Sequence, residues 1–135
     1  MRLQVAYPKS EKENAKKVEE ALSALGYEVL EVKEKPLYPE EVILALFSSK
    51  TKEREFLQDL PWLEKQKEYS SIAYLHVMPF FVYSSKEEDP EVAFEGNAGE
   101  LYEDVFSGEF KPYGWDFASS NPAQEFARVL GDYQE

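Results

Sequence analysis

Residues 2–33 read RLQVAYPKSEKENAKKVEEALSALGYEVLEVK, and the patterning of this one stretch decides the fold. Leu3, Val5 and Tyr7 alternate as in a strand, and Pro8 stops it. Ser10 stands three residues before Glu13, the spacing of a capping box that opens a helix. Ala15, Val18, Leu22 and Leu25 then recur at spacings of three, four and three, which lines them along one helical face. Gly26 supplies the left-handed residue that ends a helix, and Tyr27 to Val32 reads as the next strand. Strand, helix and strand in this order predict a parallel sheet joined by right-handed crossovers.

Working outward, residues 33–39 contain two prolines and alternating charge and form a loop. Glu28 and Glu31 lie within the second strand, which suits a sheet edge better than a centre buried on both faces. Val42 to Phe47 is a continuous apolar run, as expected of a central parallel strand. Only nine residues separate it from Val32, so the crossover is a bare loop; the competing reading is a buried helix from Pro39 through Leu46. Lys52 to Leu60 is helical, with Phe56, Leu57 and Leu60 on one side, and Pro61 opens a second helical segment through Trp62, Leu63, Gln66 and Tyr69. His76 to Tyr83 is the fourth strand, although Pro79 is awkward inside it. Ser84 to Asp89 is a charged turn, Glu100 to Phe106 a helix, and Tyr113 to Phe117 a last short strand. Asn121 caps the closing helix, Pro122 takes its first position, and Phe126, Val129, Leu130 and Tyr133 share a face. The whole predicts a single α/β domain over residues 1–135 with a mainly parallel sheet, flavodoxin-like if its strands take the order 2-1-3-4-5.

Composition narrows the function. In 135 residues, 43% hydrophobic and 15% aromatic side chains require a packed interior. The absence of cysteine excludes disulfides and thiolate chemistry, and a single histidine, His76, leaves no basis for a histidine zinc site; it reads as a buried, hydrogen-bonded residue. No run approaches the ~20 apolar residues of a membrane span, and the N-terminus lacks the order of a signal peptide, which predicts a cytoplasmic protein. The net charge of −12 is unevenly spread. Residues 1–83 carry 12 basic and 14 acidic side chains, whereas residues 84–135 carry 3 and 13. That acidic third repels phosphate backbones and argues against nucleic-acid binding, while Glu87 to Asp104 can face a basic partner.

In an open parallel sheet, ligands bind beyond the carboxyl ends of the strands where the strand order reverses. In the expected order, the crevice lies between Tyr7, Lys9 and Ser10 on one loop and Ser48, Ser49 and Lys50 on another. Hydroxyls, one lysine from each loop and two helix N-termini suit an anionic ligand such as the pyrophosphate of a nucleotide. The same serines also serve as ordinary helix caps. Neither GxGxxG nor GxxxxGK[ST] occurs.

Several short pieces resemble the TIR domain, the Toll-receptor-like signalling module. Val5-Ala6-Tyr7-Pro8-Lys9-Ser10 resembles its first box, and Leu44-Ala45-Leu46-Phe47-Ser48-Ser49 is similar to its third strand. Val77-Met78-Pro79-Phe80-Phe81-Val82 resembles its proline-bearing fourth strand, and Tyr113-Gly114-Trp115 its last box. The resemblance implies a cytoplasmic signalling or interaction module that associates with a protein partner or with itself. It also implies an alternative, an NAD glycohydrolase that takes NAD as substrate and needs no resident cofactor or metal. Enzymatic members place a glutamate four residues after an aromatic in the helix following the third strand. Here Phe56 is followed at that spacing by Leu60, and the nearby acids are Asp59 and Glu55. Either would stabilise the cationic sugar centre of glycosidic cleavage. A second alternative is an acidic inhibitor or immunity-type protein covering a basic partner.

Overall fold

The computed structural model describes residues 2–32, 42–63, 77–106 and 112–134. Five strands, β1 (Arg2–Ala6), β2 (Glu28–Glu31), β3 (Ile43–Phe47), β4 (Val77–Tyr83) and β5 (Tyr113–Asp116), form one sheet in the order β2-β1-β3-β4-β5. Every pairing is parallel, with Val5 opposite Leu44, Ala45 opposite Pro79 and Val82 opposite Trp115. This is the flavodoxin-like, three-layer arrangement, as expected. Among the described residues, helices α1 (Lys12–Ala24), α2 (Glu53–Asp59), α3 (Pro90–Ala93), α4 (Gly99–Phe106) and α5 (Pro122–Gln134) flank it, with a π-helical stretch at Phe94–Ala98 between α3 and α4.

The continuous apolar run is a strand because both of its faces are covered. Leu44 and Leu46 join Leu3, Val5, Phe80 and Trp115 in a core closed by α1 (Ala15, Val18, Leu22) and α5 (Ala123, Phe126, Leu130). Ile43, Ala45 and Phe47 face the other way, with Phe81, into a core closed by α2 (Phe56) and α4 (Leu101, Tyr102, Phe106). Of the competing reading, a helix from 39 to 46, residues 39–41 lie outside the described set and 43–46 are strand.

The first helix ends as its sequence requires. Gly26 has φ +97°, its N–H bonds to the Ser23 carbonyl at 3.0 Å, and the Tyr27 N–H bonds to the Leu22 carbonyl at 3.3 Å, a Schellman closure. Its beginning differs from the expectation. Lys9–Glu11 form a 3₁₀ turn, α1 starts at Lys12, and Ser10 is exposed and makes no cap; Glu11 takes the capping position, but its side chain accepts no backbone N–H of the helix. The capping box fails because Glu11 is drawn into the loops of the sheet, as described below.

Pro79 sits inside the central strand β4. The Phe117 N–H bonds to the Tyr83 carbonyl at 2.8 Å, so by alternation Pro79 turns its missing donor toward β5, below Phe80–Tyr113, the first β4–β5 pair. Pro61–Leu63 form a single 3₁₀ turn; the rest of the expected second segment, and His76, lie outside the described residues. On α5 the buried face is Ala123, Phe126 and Leu130, and Val129 is exposed at 40%. The sequence reading missed α3. Asp89 caps it by accepting the Glu91 N–H at 2.9 Å, and Pro90 takes its first position.

Candidate functional site

The strand order reverses between β1 and β3, and the loops leaving their carboxyl ends meet there. Glu11, 3% exposed, projects from the first loop into the second. Ser48 Oγ donates to Glu11 Oε1 at 2.6 Å, Thr51 Oγ1 donates to the same oxygen at 2.9 Å, and Asn14 Nδ2 donates to Oε2 at 2.8 Å. The knot is closed further by the Ser48 N–H donating to Thr51 Oγ1 at 2.8 Å and the Lys50 N–H to Ser48 Oγ at 3.2 Å. A buried carboxylate needs such donors, because its lost hydration is replaced only by hydrogen bonds. The protein's own Glu11 side chain thus ties together the two loops expected to receive a ligand, beside a polar pocket.

The six expected ligand-binding residues separate into two groups. Ser48, Ser49 and Lys50 line a polar pocket of about 360 Å³ together with Asn14, Lys17, Ser84, Glu87 and Glu88, at the carboxyl ends of β3 and β4. Ser49 Oγ donates to Glu88 Oε2 at 2.8 Å across it, and the Lys17 ammonium lies 5.4 Å from the Phe117 ring centroid. The pocket therefore mixes two lysines with two glutamates rather than presenting a purely cationic cradle.

Tyr7, Lys9 and Ser10 are elsewhere. The Tyr7 hydroxyl donates to Glu31 Oε1 at 2.9 Å, toward β2. Burial, reinforced by that bond and by Glu31 and Glu19, pushes the phenol up to about 12, so it remains a donor throughout the neutral range. Glu19 in the same group is also raised, first by burial and then by the Glu31 carboxylate. Ser10 is exposed. The backbone N–H of Lys9 donates to Asp59 Oδ2 at 2.9 Å, tying the first loop to the end of α2.

That bond gives Asp59 a structural position, while Glu55 is exposed on α2. Neither lines the polar pocket among its described residues. Glu11, which the sequence reading did not single out, is the carboxylate at the reversal point. In the sequence it looks like one more acid at the solvated start of a helix; its only local signal is a place between the first strand and the first helix. Among the described residues, no group of three or more acidic or histidine side chains could hold a metal ion, and no helix is long and apolar enough to cross a membrane. No protein-family model and no curated protein matches the chain.

Proposed function

We propose that the chain is a TIR-like protein-interaction module, working through contacts with other proteins and with copies of itself. The observation that supports this reading most is the tie across the reversal point: Glu11 spends both carboxylate oxygens on Ser48, Thr51 and Asn14, so the acid nearest the crevice is committed to holding the loops together. Glycosidic cleavage needs a carboxylate free to face the sugar. Asp59 instead holds the Lys9 N–H, and Glu55 stands exposed on α2; neither is among the residues that line the polar pocket, which counts against the NAD-hydrolase alternative in the form the resemblance implies.

Two measurements test the reading on the full chain. Light scattering is expected to show a mass that rises with protein concentration, and a strict monomer at every concentration counts against self-association. Incubation with NAD is expected to release no nicotinamide. Release that disappears in Asp59→Ala would replace the module reading with the hydrolase.

A further inference from the structure

On one face of β5, α5 packs Phe126 against Trp115, with ring centroids 6.2 Å apart. On the other face α4 packs its Phe106 against Phe47 and Phe56, and beside β5 stand only α3 and the residues after it, Pro90, Glu91, Phe94 and Glu95, which flank the strand without filling the space over it. What remains is an open groove of about 480 Å³ along β5. Phe81, Tyr83, Phe94 and Pro112 give it an apolar lining, and Glu91 and Glu95 stand on its rim, both exposed. Gly114 leaves a notch in the strand itself: a β-carbon there would come within 3.3 Å of the Tyr83 ring edge.

Two features choose the occupant. β5 is the last strand of the described sheet, and since Phe117 turns its N–H to β4, alternation turns the Gly114 and Asp116 backbone groups away from β4 toward the sheet edge. Such an edge accepts an added strand. The rim belongs to a run from Glu87 to Asp104 with eight acidic side chains and no basic one. A second copy of this chain, at net −12, would bring like charge to it, whereas lysine or arginine side chains lay apolar stems on the groove and their charged heads on Glu91 and Glu95.

We propose that this groove docks an extended, lysine- or arginine-bearing segment of another protein, which pairs with β5 and seats an apolar side chain over Gly114. This rests on the interaction-module reading and names the partner's chemistry. The test is titration of the full, nitrogen-15-labelled chain with a short peptide of alternating valine and lysine, against its valine–glutamate counterpart. Saturable shifts at the Gly114 and Asp116 amides are expected with the lysine peptide alone, weakening as salt rises. The double substitution Glu91→Lys with Glu95→Lys, at exposed positions, is expected to weaken binding about tenfold or more, and Gly114→Val to abolish it while near-ultraviolet circular dichroism confirms the fold. Absence of binding, shifts confined to the exposed acids of α4, or undiminished binding by the charge-reversed chain would each overturn the proposal. Light scattering on the same samples separates the two readings. A chain that self-associates yet leaves Gly114 unperturbed loses this docking site and keeps the module; a chain that stays monomeric and binds the peptide loses self-association and keeps the groove.

Discussion

Glu11 holds three side-chain donors at once. Its two oxygens collect donors from α1 and from the loop after β3, so its removal strands Ser48, Thr51 and Asn14 together. Buried donors without an acceptor cost far more than a surface bond is worth. Glu11→Ala is expected to lower the unfolding free energy by about 3 kcal/mol, read by urea titration, with Ser48→Ala costing about 1–2 kcal/mol. Gly26 acts through its backbone. At φ +97°, with open space where a β-carbon would point, Gly26→Ala meets no clash and still costs about 1–2 kcal/mol from left-handed strain, measurable in the same titration.

At the level of elements, β3 carries the two cores. Phe47 packs among Phe56, Phe81, Phe94 and Phe106, its ring centroid 5.6 to 6.4 Å from each of theirs, and so joins β4, α2 and α4. Phe47→Ala is expected to cost about 3–5 kcal/mol and to loosen α2 and α4 together, seen as faster amide exchange in both helices. On the opposite face Phe80 plays the matching part, with Tyr113, Trp115 and Phe126 at 5.3 to 5.6 Å. Between α2 and α4 lies a different contact. The Glu53 carboxyl is raised by burial and by its hydrogen bond and charge interaction with Asp104, with Glu100 adding to it.

For the molecule as a whole, the described acids with shifted pKa values contribute to the pH response. Glu19 and Glu53 are raised above the ordinary value, so the fold favours their protonated forms. That contribution is fully present below the unfolded value and is lost as pH rises through the folded one. Asp116 runs the other way. Burial would raise it, but the backbone donors of Ser85 and Ala118, at 3.0 and 2.9 Å, outweigh burial and hold it low; its contribution is lost as pH falls through its depressed value. Thermal midpoints are therefore expected to rise from pH 7 toward about pH 5 and to fall again in stronger acid. Glu53→Gln is expected to raise the midpoint at pH 7 and to shrink the gain on acidification, a comparison that calorimetry at the two pH values makes directly.

Periodicity and punctuation are local, and the elements they specify were legible in the chain. The stripe Ala15, Val18 and Leu22 buries one face of α1, Gly26 ends that helix, and Ile43 to Phe47 forms the doubly covered strand. A parallel sheet also follows from such signals, because a strand-helix-strand unit closes by a right-handed crossover, and the acids of β2 suit the edge it occupies. The site was legible only in part. Ser48, Ser49 and Lys50 do line a pocket, but the loops beside it are tied by Glu11, whose partners Ser48 and Thr51 lie 37 and 40 residues away. A charged residue at a helix start is indistinguishable from a solvated one until the sheet brings those loops together. Likewise, the open groove along β5 and its acidic rim depend on how far α4 reaches across the sheet. Short-range sequence determines which segments are helix or strand, since backbone geometry and one-face burial repeat within a few residues. Where a polar side chain ends up is decided by tertiary structure, because burial depends on neighbours that only the closed sheet supplies.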